Sequence, residues 1–230
     1  MVKKEKSDRP EDLLAEGLEQ LGITPEGSLI DSFMIHIREI GLWNGKVRLV
    51  SDPDPRTVVV RHILDSLAPQ RIVDGLPRRA ADAGAGGGFP GIPLALVFPD
   101  LQLLLIERKT KKAAFLRSAV GLLGLKERIE VVEGDVQEVC RRLPLVVCRA
   151  FRPLSETLQL LRHILPEEGG SILIYGGKCS YIESELRGIE EYRGSVPDEP
   201  GPSEPRIIPL HVPFLEEERN ALLFSFPPGD

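Results

Sequence analysis

The sequence predicts an α/β fold of the Rossmann-like class: a seven-stranded, mostly parallel sheet behind an N-terminal helical cap. Three observations lead there. From Ala80 onward, short apolar runs alternate with helical patterns, which is how a parallel sheet reads, since both of its faces are buried. The run ending at Ala83 leads directly into Gly84-Ala85-Gly86-Gly87-Gly88-Phe89-Pro90-Gly91, and glycines let the backbone turn sharply from strand to helix. The last two apolar runs, Ile207 to Val212 and Ala221 to Phe226, follow a Pro-rich acidic loop from about Val196 to Pro205 and read as a closing antiparallel hairpin.

Apolar residues recur at helical spacing from about Glu11 to Leu21 and from about Leu29 to Gly41, where Leu29, Ile30, Phe33, Met34, Ile37 and Ile40 form one stripe. Gly22-Ile23-Thr24-Pro25-Glu26-Gly27 is the turn between them, and Asp52-Pro53-Asp54-Pro55 breaks the chain before a third helix that runs to about Leu67. Residues 1–70 are thus expected to form a helical extension packed on a core of residues 71–230. Ile72 to Arg79 has turn-like composition. Ala80 to Ala83 is the first strand, and Leu101 to Ile106, Ile129 to Val132, Leu145 to Cys148 and Ser171 to Tyr175 are the next four. Pro93 is expected to open the helix after the glycines from its first position. Thr110 is the expected N-cap of a helix with Leu116, Ala119, Val120 and Leu123 on one face and Gly124 as its stop. Another helix is expected from about Leu154 to Leu165. The chain contains no internal repeat.

At 230 residues the chain has room for one well-buried α/β domain and a small appendage. Its 42% hydrophobic and 28% charged residues are ordinary for a globular protein, and no apolar stretch reaches the length of a membrane span. Met1-Val2-Lys3-Lys4-Glu5-Lys6 is charged and precedes no apolar signal core, so a cytoplasmic location is expected. Cys140, Cys148 and Cys179 lack metal-ligand spacing and read as reduced thiols, while His36, His62, His163 and His211 are scattered as surface or packing residues. No metal site is expected. A net charge of −6 means that any contact with nucleic acid must come from local basic clusters.

The glycine turn after the first strand and Glu107 at the tip of the second face one crevice in such a sheet, placed to hold the two ends of a nucleoside. Gly86-x-Gly88-x-x-Gly91 fits a dinucleotide fingerprint, whereas Asp82-x-Gly84-x-Gly86 fits the S-adenosylmethionine turn of class I methyltransferases. Pro90 and Pro93 bracket Gly91 and are expected to hold it outside a regular helix, which favours the second pattern. Glu107 is placed to accept hydrogen bonds from both ribose hydroxyls. Asp135, after the third strand, can take the exocyclic amine of adenine while Val136 covers the ring, or it can simply cap the following helix. Arg149 and Arg152, flanking Phe151 beyond the fourth strand, suit an unstacked base and its phosphates. Arg108, Lys109, Lys111 and Lys112 form the densest basic run. There is no Walker lysine after the glycines and no Ser-His-Asp order, which argues against phosphoryl transfer and hydrolysis. A ring nitrogen with a free lone pair, such as guanine N7, needs no general base, in keeping with the lack of an obvious one.

The segments Val60-Arg61-His62-Ile63-Leu64-Asp65-Ser66-Leu67, Asp82-Ala83-Gly84-Ala85-Gly86-Gly87-Gly88-Phe89-Pro90-Gly91-Ile92-Pro93-Leu94 and Cys148-Arg149-Ala150-Phe151 together resemble the GidB (RsmG) family. The similarity runs in order from about Trp43 to about Phe226. It implies a bacterial methyltransferase that uses S-adenosyl-L-methionine on guanine N7 of 16S ribosomal RNA, with that RNA or the small ribosomal subunit as partner; a monomer is expected. It further implies cofactor contacts at Gly84, Gly86, Phe89, Glu107, Asp135, Val136, Gln137 and Arg149, with Arg149 and Arg219 serving the reaction. The chain departs from the family's pattern on the substrate side. Trp43-Asn44-Gly45-Lys46-Val47-Arg48-Leu49-Val50 carries Arg48 and Val50 in place of an asparagine and a threonine, and Tyr175-Gly176-Gly177-Lys178 lacks the usual lysine-glycine after the fifth strand. Asp135 stands where some members carry an arginine. These departures keep open an RNA- or ribosome-binding protein of the same fold with lost or altered methyl transfer, and the glycine pattern keeps open a nicotinamide-dependent oxidoreductase.

Overall fold

The computed structural model describes residues 9–149, 153–193 and 204–227. Helix α1 (Pro10–Gln20) and the long α2 (Gly27–Val47) come first. They are followed by α3 (Pro55–Val58), which passes through a π-helical stretch, Val59–Leu64, into α4 (Asp65–Leu67), and then by α5 (Gln70–Asp74). The α/β part runs β1 (Arg79–Ala83), α6 (Gly91–Val97), β2 (Gln102–Glu107), α7 (Thr110–Leu122), β3 (Ile129–Glu133), β4 (Leu145–Arg149), α8 (Leu154–Leu161), β5 (Gly170–Gly176) and α9 (Cys179–Arg193). Strands β6 (Arg206–Leu210) and β7 (Arg219–Phe226) close it. The sheet order is β3-β2-β1-β4-β5-β7-β6. The first five strands are parallel, and β7 is antiparallel to both of its neighbours.

Side chains alternate across the sheet, as a period of two requires. Leu103 and Leu105 join the larger core with Phe33, Ile63, Leu64, Ile92 and Phe115 from the N-terminal helices, α6 and α7. Leu104 and Ile106 join the opposite core with Leu158, Leu161 and Ile182 from α8 and α9. The chain order turns outward in both directions from the β1–β4 pair, so the crevice above the carboxyl ends of β1, β2 and β4 is where an open α/β sheet binds ligand.

Several boundaries differ from the sequence expectation for identifiable reasons. Helix α2 continues past Gly41 because Trp43 and Val47 still pack on the core. It ends where Arg48 turns left-handed at φ 48° and Asn44 Oδ1 accepts the Leu49 and Val50 N–H groups at 2.7 and 2.9 Å. Helix α5 runs into the first part of the turn-like stretch, tied down at its start by Gln70 Nε2 donating to Leu21 O at 2.9 Å. Thr110 lies inside α7 and hydrogen-bonds Glu133, while Lys109 occupies the cap position. Gly124 ends that helix as expected, at φ 67°. The expected helix after Leu154 becomes 3-10 at Arg162–Ile164. Helix α9 has no counterpart in the sequence reading, because its apolar positions are sparse among charged ones.

Candidate active site

The crevice on the β1–β2 side is built mainly by backbone. Gly84, Gly86 and Gly88 take φ values of 74°, 55° and 83°, a region that side-chain-bearing residues rarely adopt. The Gly84 and Ala85 N–H groups both donate to Ile106 O at 3.0 Å, pinning the loop to the end of β2. Glu107 is buried at the tip of that strand. Its Oε2 accepts the Gly86 N–H at 3.0 Å and its Oε1 the Lys109 N–H at 2.8 Å. The carboxylate is thus locked between two loops, and each oxygen keeps a further lone pair for a ligand. Lys112 Nζ reaches the same turn from the start of α7, 3.9 Å from where a Cβ on Gly86 would stand. Arg108, Lys109 and Lys111 are exposed beside it.

Gly91 corrects one expectation. It is the first residue of α6, with Pro90 as the cap and Pro93 third in the helix rather than first. Proline is tolerated there because first-turn N–H groups have no partner within the helix. A Cβ on Gly91 would stand 2.6 Å from Leu105 Cδ2 and 2.7 Å from Asp82 Oδ2, so this glycine lets the helix close onto the strand. Its N–H donates to Asp82 Oδ2 at 2.8 Å. The prolines therefore do not separate the two cofactor patterns. Asp82 is fully buried, and burial pushes its pKa up to about 7 against the opposing Gly91 hydrogen bond.

An aromatic stack supports the loop from below. The Phe89 ring is 4% exposed and lies 5.0 Å from both His36 and His62, with the Arg149 guanidinium 5.3 Å from its centroid. His36 Nε2 donates to Gly87 O at 2.9 Å, and burial pushes its pKa down to about 4. Beyond β3, Asp135 Oδ1 accepts the Gln137 N–H at 3.1 Å, and the Asp135 N–H donates to Glu138 Oε2 at 3.3 Å. This is a reciprocal cap of the 3-10 turn Val136–Glu138. Val136 is buried in the second core, and Gln137 is exposed.

The β4 side is built from side chains. Asp65, 1% exposed, accepts Arg219 Nε and Nη2, both at 2.7 Å, and Arg149 Nη1 at 3.2 Å. Arg149 Nη2 also donates to His62 Nδ1 at 2.9 Å. Burial, followed by the Arg149 charge, pushes His62 down to about 3. Two guanidiniums thus share one carboxylate, leaving one net positive charge. The sequence reading quoted the segment holding His62 and Asp65, took His62 for a surface or packing residue and gave Asp65 no role. The available signal was an aspartate inside an apolar helix, four residues after Arg61. These residues occupy or adjoin the π-helical stretch, a feature common at functional sites. Phe151 and Arg152 lie outside the described residues. Lys178 and Arg48 are exposed and Val50 is buried. A Cβ on Gly176 would stand 2.8 Å from Ile182 Cδ1 and 3.1 Å from Leu222 Cδ1, so α9 packs where a lysine side chain would begin.

Among the described residues, no group of three or more His, Cys, Asp and Glu side chains could hold a metal ion, and no helix is long and apolar enough to cross a membrane. A larger groove of about 1320 Å³ lies elsewhere, where Asp12, Glu16, Glu19, Asp54, Glu216 and Glu217 outnumber Arg56 and Arg61 in the lining. Its negative lining repels phosphate.

A family model described as GidB, rRNA small subunit methyltransferase G, matches residues 29–193. The chain belongs to the GidB family. A ribosomal RNA small subunit methyltransferase G of Borrelia turicatae is 39% identical over 175 residues, covering 75% of this chain and 84% of that protein. Its namesake from Burkholderia thailandensis is 34% identical over 218 residues, covering 91% and 89%. The fold is also that of a SAM-dependent methyltransferase crystal structure from Aquifex aeolicus, with a TM-score of 0.55 at 15% identity, covering 79% of this chain and 97% of that one. This GidB member is an S-adenosylmethionine-dependent methyltransferase, and the nicotinamide reading falls. The crevice fits that cofactor. Glu107 retains acceptor capacity at the tip of β2, and the left-handed glycines present backbone without side chains.

Proposed function

We propose that this GidB protein methylates N7 of a guanine in 16S ribosomal RNA, free or within the small ribosomal subunit, acting as a cytoplasmic monomer. The observation that carries the reading is the Asp65-centred pair of arginines at the end of β4, adjoining the glycine turn through Phe89. S-adenosylmethionine, when bound, supplies an electrophilic methyl group. On the cofactor side, Gly84 and Gly86 offer backbone, Glu107 accepts the ribose hydroxyls, and Asp135, Val136 and Gln137 border the adenine. Phe89 and Arg149 close the site toward the substrate. On the substrate side, Arg149 and Arg219 orient the base or its phosphate.

The histidines support an acceptor that carries no proton. His62 has Nδ1 committed to Arg149, and His36 has Nε2 engaged with Gly87 O. Burial depresses both pKa values far below neutrality, to about 3 and about 4, so neither is tuned as a general base. Guanine N7 requires none, since its lone pair holds no proton that must leave, and the ring becomes positively charged once it takes up a methyl group. Asp65 halves the charge of the two arginines and so lowers the repulsion felt by that ring. Catalysis then rests on alignment and field.

The test is transfer of labelled methyl to small ribosomal subunits from a strain lacking the enzyme, with nucleoside mass spectrometry to identify 7-methylguanosine. Cofactor binding is followed separately by calorimetry. A protein that binds the cofactor and the subunits but transfers nothing is instead the RNA- or ribosome-binding variant, a reading favoured by Gly176 and the exposed Lys178 after β5.

A further inference from the structure

A cavity of about 440 Å³ opens at the carboxyl ends of β4 and β5, between α8 and α9. That is within the size of a small-molecule pocket. Arg149 and Arg219 line it, as do Tyr181 and Glu185 of α9. Tyr181 and Glu185 are four residues apart on one helix and so share a face. Tyr181 is 61% exposed although it is a large aromatic ring. Glu185 Oε2 accepts the Leu154 N–H at 2.7 Å, at the start of α8. Among the described residues, nothing bonds its other oxygen.

On the footing of the function proposed above, we infer that this cavity takes the unstacked guanine, with Tyr181 stacked on the ring and the second oxygen of Glu185 accepting the N1–H and the 2-amino group. A carboxylate is an acceptor-only group, and guanine alone among the four bases presents two adjacent donors on its pairing edge. Adenine and cytosine place a ring acceptor there, and uracil sets its single N–H between two carbonyls. The pairing edge and N7 lie on opposite sides of a purine, so a base gripped by Glu185 keeps N7 free. A base must leave its stack to enter such a pocket, and stacking on an aromatic ring offsets part of that cost.

Glu185→Gln separates recognition from architecture. Glutamine still offers an oxygen to the Leu154 N–H, but it turns an amide donor toward the donors of guanine. The expected result is a KM for small ribosomal subunits raised about tenfold or more, with the cofactor Kd unchanged. Tyr181→Ala is expected to raise the same KM about tenfold, and Tyr181→Phe to restore it. An unchanged KM for Glu185→Gln, with the wild-type protein active, overturns the inference alone. Absence of methyl transfer by the wild-type protein removes the proposed function and this inference together.

Discussion

On the β1–β2 side of the crevice, a single stretch of chain from Asp82 to Gly91 makes the turn, and Glu107 fastens it to the loop after β2 through the Gly86 and Lys109 N–H groups. On the β4–β7 side, the polar cluster is gathered from Asp65, Arg149 and Arg219, and its hydrogen bonds bridge as many as 154 positions. The first side is local and made of backbone. The second is distant and made of side chains. A site of the first kind tolerates little change in its glycines, whereas one of the second kind can alter its recognition by replacing single residues. The departures at Arg48, Val50 and Gly176 all fall outside the glycine turn.

Four experiments put this contrast at risk. The largest effect is expected from Asp65→Ala, which leaves two guanidiniums facing each other. Removing one partner of a buried ion pair costs about 3 kcal/mol, the low end of the range because both arginines keep some contact with water. Urea denaturation reads the loss, and methyl transfer should fall with it while cofactor affinity changes less. A stable, active Asp65→Ala protein would remove the triad from the account.

Acid sensitivity comes next. His36 is held at about 4 in the folded state against 6.5 when unfolded. Between those values only the unfolded chain takes up the proton, so stability declines as pH falls from 6.5 towards 4, by about 3 kcal/mol in all. His62 adds to the same trend. Asp82, pushed up to about 7, acts oppositely: its contribution is fullest below the unfolded carboxyl range and is lost as pH rises through 7. His36→Gln should flatten the acid limb of a stability profile between pH 4 and 6.5. An identical slope in the variant would refute the assignment.

Glu107→Ala is expected to weaken S-adenosylmethionine binding by about 2 kcal/mol in calorimetry, through lost hydrogen bonds to the ribose and a loosened turn. Asp135→Ala should give the smallest effect, about 1 kcal/mol of stability from the lost cap. Any additional loss of cofactor affinity marks a contact with adenine, and unchanged affinity assigns Asp135 to capping alone.

The same contrast explains what could be read from the chain. The five parallel strands and the hairpin were visible because buried strands are short apolar runs between glycines and helical patterns. Glu107 was visible because its place follows from the strand before it. Gly91 misled the reading, since flanking prolines resemble a helix breaker when the carboxylate receiving its N–H lies nine residues back in a strand. Asp65 was marked only as an aspartate in an apolar helix, and His62 not at all, because the partners they touch are decided by β4 and β7 arriving beside them. Glu185 belongs to a helix whose apolar pattern is too thin to announce it.

The bond between Asp65 and Arg219 also sets an order of events during synthesis. Because translation is vectorial, the carboxylate leaves the exit tunnel long before the strand that supplies its strongest partner, and until then it must remain hydrated or borrow a transient neighbour. Nascent chains that stop short of β7 therefore carry the glycine turn beside an incomplete arginine pair, and on the proposed roles competence to bind the methyl donor should emerge earlier than competence to use it.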